Sequence, residues 1–175
     1  HAEDMAKYFS IGREEQEDFA LASHQKAAKA IKGGLIEEQV ATIFHKGKEV
    51  KEDNLVRFDV DKDIDRLRKK KPVFDRVNGT ITAFSSSALT DGASCVLLMT
   101  ESKAKELGLT PLGFVRGYAF PALDPRENML LGNVYACPEA LDKSGLTLQD
   151  MDLVEIHEAF AAQVLCNLHC FNDPK

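Results

Sequence analysis

The sequence predicts an α/β fold in which a mixed sheet lies between layers of helices. Three observations carry that reading. Ala93-Ser94-Cys95-Val96-Leu97-Leu98-Met99 is a continuous apolar run, the pattern of a strand buried on both faces. Strand-like and helix-like spacings alternate along the chain. The apolar set Leu153, Val154 and Ile156 stops at His157, and helical spacing through Phe160, Val164, Leu165 and Leu168 begins at once.

The elements follow in order. Met5, Tyr8 and Phe9 form an i, i+3, i+4 apolar set on a first helix. Gly12 is an acceptable N-cap for a second helix, whose early Glu14 and Glu15 suit the positive helix end. Phe19, Ala20, Ala27, Ala28 and Ile31 give that helix an alanine-rich face for close packing, and Gly33-Gly34 stops it. Val40, Ile43 and Phe44 predict a short strand, and residues 45–55 a charged loop. A short helix over 61–71 points Ile64 and Leu67 inward and ends on Arg66-Leu67-Arg68-Lys69-Lys70-Lys71 before Pro72. Thr80-Ile81-Thr82 predicts a strand, followed by a turn at Ser85-Ser86-Ser87. After the apolar run, Thr100 caps a helix that Gly108 closes. A second unit starts near Pro111, with a long strand-like segment through Phe114, Val115, Tyr118 and Phe120. Pro138 opens a helix at its first position, and Gly145 ends it.

Composition excludes several function classes. The chain has 175 residues, 44% of them hydrophobic, which suffices for one large domain or two small ones with a real core. A net charge of −6 argues against a general nucleic-acid binder. No apolar run approaches the roughly 20 residues that span a bilayer. The opening His1-Ala2-Glu3-Asp4 reads as mid-helix and not as a signal peptide. Cys95, Cys137, Cys166 and Cys170 show no disulfide-like framework and read as buried thiols of a reducing compartment. Cys166, His169 and Cys170 share a helical face, but a metal needs a second clamp that this helix does not supply. No metal site is expected.

The seam at His157 is where chemistry is expected. Open α/β sheets bind ligands where strands end and helices begin. The unpaired N–H groups and positive dipole of a helix start favour developing negative charge. A neutral imidazole there could donate a hydrogen bond to an oxyanion, directly or through water. Glu158 either orients the site or complements the dipole.

Asp152-Leu153-Val154-Glu155-Ile156-His157-Glu158-Ala159-Phe160-Ala161-Ala162-Gln163 also resembles the Asn-Glu-Ala-Phe active-site motif of the thiolase family, with histidine in the asparagine place. The resemblance extends through the chain in family order. Ala2–Ala6 and Arg13–Ala20 resemble the helical start of the family's loop domain, and Lys71-Pro72-Val73-Phe74 its end. Gly79–Ala83 and Leu89–Ala93 resemble the last strand and helix of the first thiolase half; Leu112–Gln163 resembles the opening of the second. The resemblance implies a partial thiolase-like fold: a mainly helical loop domain over 1–78, the end of the first half over 79–110, and the start of the second over 111–175.

It also implies roles. Ser87 matches the serine touching the pantetheine arm of coenzyme A, and Phe74 the aromatic residue lining that channel, where Phe160 is also placed. His157 matches the residue holding the oxyanion-site water. Arg57, aligned across a gap, matches an arginine beside the adenine. The implied activity is cleavage of 3-ketoacyl-CoA by coenzyme A in fatty-acid β-oxidation, with coenzyme A as substrate and no cofactor. The His-Glu-Ala-Phe form and the Leu89-Thr90-Asp91-Gly92 run point to the trifunctional β-subunit branch. That branch implies a homo-oligomer, a hydratase/dehydrogenase α-subunit as partner, and a mitochondrial or bacterial cytoplasmic location.

The departures are as informative. The family's nucleophilic cysteine, its Gly-His-Pro histidine and its Cys-x-Gly cysteine have no counterpart here, so the chain reads as the central slice of a longer enzyme, inactive alone. Phe84 and Ala88 flank Ser87 where smaller residues are usual, and would narrow the channel. Each assignment has a bland alternative. A histidine after a strand is more often structural; Ser87 could be an ordinary turn residue; Phe74 and Phe160 could be core. The Arg66–Lys71 run could be a solvated helix end, an attractor of coenzyme A phosphates, or a nucleic-acid patch. His24 and His45 carry no motif and read as surface or packing residues. The rival functions are a non-catalytic thiolase-like protein that holds acyl-CoA or lipid, and a structural fragment without a ligand site.

Overall fold

The computed structural model describes residues 1–127 and 129–172. Asn128 and residues 173–175, and with them the end of the third expected domain, lie outside that description. The chain divides into two compact units, residues 1–88 joined by the segment from Ile156 onward, and residues 89–155.

The first unit is built from helices. α1 spans Ala2–Tyr8, α2 Arg13–Lys32, α3 Val60–Arg68 and α6 Ala161–Asn172. α6 packs on α1 and α2, and α2 packs on α3. Ala20, Val60, Leu67 and Phe84 form a buried cluster, with Leu21 and Ile64 against it. Ile64 and Leu67 therefore face inward, as their spacing predicts. α1 turns differently: Ala2, Met5 and Ala6 are buried and Tyr8 is exposed. Ile43–His45 (β1) and Lys48–Val50 (β2) form an antiparallel hairpin pairing Ile43 with Val50, Phe44 with Glu49 and His45 with Lys48. Its turn, Lys46-Gly47, has positive φ at both positions, the geometry whose twist suits a two-residue hairpin loop. Glycine is at home there; Lys46 is the strained member.

A polar girdle ties this unit together. The buried Glu3 carboxylate accepts from Thr80 N–H at 2.7 Å, Thr80 Oγ1 at 2.8 Å and Ile81 N–H at 3.1 Å. Buried Gln16 donates to Thr80 Oγ1 and to the Ile11 carbonyl. Arg13 donates to the carbonyls of Arg68 and Lys70, both at 2.6 Å, linking the start of α2 to the end of α3. The predicted strand at Thr80-Ile81-Thr82 does not form, because a carboxylate occupies the donors that a neighbouring strand would use.

The second unit contains α4, Glu101–Glu106, and α5, Gly132–Ser144. Thr100 caps α4 by accepting from Lys103 N–H, and Gly108 ends it with φ +67°. Gly145 ends α5 in the left-handed region. α5 begins six residues before Pro138, which lies inside the helix instead of opening it. Lacking an N–H, Pro138 leaves one carbonyl of the preceding turn without its helical partner. The extended segment through Gly117 passes directly over α5: a Cβ on Gly117 would sit 2.2 Å from Ser144 Oγ and 2.8 Å from the Ala140 carbonyl.

The strand-like runs 93–99, 114–120 and 153–156 make no ladder among the described residues; the hairpin is the one sheet there. Val96 is 79% exposed and Leu153 91% exposed. A strand of this composition is buried only when neighbours cover both faces, and no described strand pairs with these. No described helix is long and apolar enough to cross a membrane.

Candidate functional site

All six residues singled out from the sequence lie in the first unit. The centre of the site is a short antiparallel crossing of Ser85–Ser87 with Ala159–Ala161. Ser87 N–H donates to the Ala159 carbonyl and Ala161 N–H to the Ser85 carbonyl, both at 2.9 Å, with Ser86 opposite Phe160. Thr82 supports the serine turn. Its carbonyl accepts from Ser86 Oγ at 2.7 Å, and its hydroxyl accepts from Phe84 N–H at 3.2 Å. The Ser87 hydroxyl itself is exposed, with a 3.2 Å bond to the adjacent Ala88 carbonyl. The Phe74 ring meets Phe160 edge-on, centroids 5.7 Å apart. The structure thus brings Phe74, Ser87 and Phe160 together from three separate segments.

The same crossing displaces the helix start. Ala159 and Phe160 are held extended against the serine turn, so α6 begins at Ala161 and not at His157. His157 is exposed, four positions before the first helical residue, and no strand precedes it. The expected seam is therefore corrected. A helix dipole acts within its first turn, which here carries Ala161, Ala162 and Gln163, so neither His157 nor Glu158 draws on it. Glu158 has a different partner: the Ser23 hydroxyl of α2 donates to its Oε2 at 2.5 Å.

Beside Ser23, His24 adjoins the site, although it carries no motif. Its ring lies nearly parallel to Phe84, centroids 5.9 Å apart, and its Nδ1 accepts from Arg57 N–H at 3.3 Å. Nδ1 as acceptor puts the ring proton of neutral His24 on Nε2. Burial holds His24 below its usual value of 6.5, the Arg57 charge adds to this, and the Glu158 charge opposes it. Arg57, His24 and Glu158 are thereby electrically connected. A signal existed in the sequence: His24 follows Ala20 and precedes Ala28 at four-residue spacing, on the buried stripe of α2.

Of the four cysteines only Cys166 is buried, and Cys95 is exposed. Burial pushes Cys166 up to about 11, with charge on Cys170 and Glu15 adding to it, and burial also raises Cys137. No disulfide joins the four. Among the described residues no group of three or more His, Cys, Asp and Glu side chains could hold a metal. In the basic run, Arg66 pairs with Asp63 and Arg68 with Asp18, while Lys69, Lys70 and Lys71 are exposed.

The family model of the thiolase N-terminal domain matches residues 1–102, and that of the thiolase C-terminal domain matches 109–174. A 3-ketoacyl-CoA thiolase of Erwinia tasmaniensis is 51% identical over 177 residues, covering 99% of this chain and 40% of the relative. One from Yersinia enterocolitica is 49% identical over 172 residues, covering 97% of this chain and 39% of the relative. Among solved structures, the Bacillus anthracis acetyl-CoA acetyltransferase superposes with a TM-score of 0.90 at 39% identity, over 98% of this chain and 43% of that one. The Syntrophomonas wolfei acetyl-CoA acetyltransferase gives 0.86 at 30% identity, over 99% and 43%. The fold is a partial thiolase-like fold, spanning about 40% of the length of the curated relatives it matches. A site on which Phe74, Ser87 and Phe160 converge one residue from the His-Glu pair, in a chain that both thiolase domain models cover, leads to one conclusion: this chain belongs to the thiolase family.

Proposed function

We propose that the chain is the central part of a 3-ketoacyl-CoA thiolase. Such an enzyme cleaves 3-ketoacyl-CoA with coenzyme A to give acetyl-CoA and an acyl-CoA shortened by two carbons. The observation that carries this reading is the convergence of Phe74, Ser87 and Phe160 next to His157, in a chain about half identical to relatives of that name.

A thiolate supplied from outside residues 1–175 attacks the 3-keto carbonyl, and the C2–C3 bond breaks. The acetyl-CoA carbanion takes a proton, and the acyl group passes to incoming coenzyme A. Both attacks place negative charge on a carbonyl oxygen. His157, exposed beside this cluster, donates an N–H to that oxyanion or to a water bridging to it. One such donor is typically worth about 3–4 kcal/mol. Phe74 and Phe160 form an apolar wall for the pantetheine arm, Ser87 supplies a hydrogen bond to it, and Arg57 lies on the adenine side. Coenzyme A is a substrate in this scheme, and no cofactor is required. Domain divisions near residues 78 and 110 accompany the reading.

The His-Glu-Ala-Phe form favours the trifunctional β-subunit branch, with a homo-oligomeric enzyme and a hydratase/dehydrogenase α-subunit as partner. The relatives named above are bacterial, which favours a bacterial cytoplasm over a mitochondrial location. The test is thiolysis of acetoacetyl-CoA by the full-length protein. Coenzyme A-dependent loss of substrate is expected. Calorimetric binding of coenzyme A without turnover would instead support a non-catalytic acyl-CoA-binding protein, and neither binding nor turnover would leave only a structural role.

A further inference from the structure

We propose that Ser23 is a positioning residue for the His157–Glu158 segment, which it holds through the Glu158 carboxylate. The inference rests on the reading of His157 as the oxyanion donor. Residues 152–158 make a single hydrogen bond among the described residues, Ser23 Oγ to Glu158 Oε2 at 2.5 Å across 135 positions of sequence. On the far side, the backbone is pinned at Ala159 and Ala161 by the serine turn. His157 therefore lies just outside the pinned stretch, and its neighbour's side chain ties it to α2.

The anchor is rigid. Ser23 sits mid-way along the 20-residue helix α2, whose Ala20 and Ala28 are buried on either side. The Arg13 bonds to Arg68 and Lys70 fix the start of that helix. A serine within a helix commonly back-bonds to the carbonyl one turn earlier. Here the hydroxyl reaches across to Glu158 instead. A hydroxyl-to-carboxylate bond is roughly twice as strong as one between neutral groups, and adjacent His24 senses the same carboxylate. Without the Ser23 bond, Glu158, and with it the neighbouring His157 N–H, can shift away from the oxyanion. Misplacement by about 1 Å can cost up to about 10²-fold in rate.

The experiment uses the full-length protein, with acetoacetyl-CoA and coenzyme A as probes and hydrogen–deuterium exchange over residues 155–160. Ser23→Ala is expected to lower kcat about tenfold, leave KM for coenzyme A within about twofold, and speed exchange in that segment. Ser23→Thr keeps the hydroxyl and should restore both. Gln25→Ala breaks a comparable surface bond from α2, to Asp61 at 2.6 Å, and should change neither. Unchanged exchange in Ser23→Ala, or faster exchange with unchanged turnover, would overturn the proposal. If the wild-type protein shows no thiolysis, the functional reading fails by itself, and exchange alone then decides whether Ser23 holds the segment.

Discussion

The two units of this chain use apolar sequence in opposite ways. In the first, α2, α3 and the turn at Phe84 close a small core: Ala20, Val60, Leu67 and Phe84 are all buried. In the second, the most hydrophobic stretch of the chain lies open, with Leu97 and Leu98 about as exposed as neighbouring Val96. The difference is one of range. A helix satisfies its own backbone and needs one partner for its stripe. A doubly buried strand needs two neighbouring strands and two covering layers. The first unit finds its partners within its own residues; the second carries strand-like runs that no described strand pairs.

Leu98→Asp probes this contrast most severely. The sequence predicts a strand buried on both faces at 93–99; where full-length protein completes it, a buried unpaired charge there should destabilise by roughly 4 kcal/mol or prevent folding. In residues 1–175 alone, where Leu98 is exposed, the same change should stay within about 0.5 kcal/mol. Denaturant unfolding of the two lengths side by side measures both; equal effects would erase the distinction between the units. Glu3→Ala probes the first unit from within. It strands the Thr80 and Ile81 donors in a buried setting, with an expected loss of about 3 kcal/mol on urea unfolding. A loss below about 1 kcal/mol would mean that the girdle is not what fixes residues 80–82.

The smallest expected effect is a slope. His24 titrates below 6.5 in the folded chain, so the unfolded chain binds its proton first as pH falls. Its contribution is fully favourable above about pH 6.5, is lost as pH falls from there through the lower folded value, and levels off beneath it. Arg57 and Glu158 act on it in opposite directions. In His24→Gln this part of the pH dependence should vanish. A wild-type and variant stability difference that is flat from pH 5 to 7.5 would contradict the placement of His24.

Local signals were legible in both units. The Gly33-Gly34 stop, the Ile64/Leu67 stripe, the Thr100 cap and the Gly145 end all follow from neighbouring residues. The errors arose where a distant group intervened. Glu3, 77 positions away, takes the donors of the predicted strand at Thr80. The serine turn, over 70 positions upstream, delays α6 to Ala161 and removes His157 from the helix start. Pro138 lies inside a longer helix than its own position signals, because α5 already starts at Gly132. The site was visible in part: the resemblance singled out Phe74, Ser87 and Phe160, and the buried stripe of α2 pointed to His24, whereas Ser23 emerges only when α2 is laid against Glu158.

The central claim is that His157, next to this cluster, stabilises a thioester-derived oxyanion. It is tested most directly by steady-state thiolysis of acetoacetyl-CoA by full-length protein carrying His157→Ala. Loss of a transition-state donor should lower kcat about 10²-fold and change KM for coenzyme A little. Wild-type turnover in the variant would contradict the account.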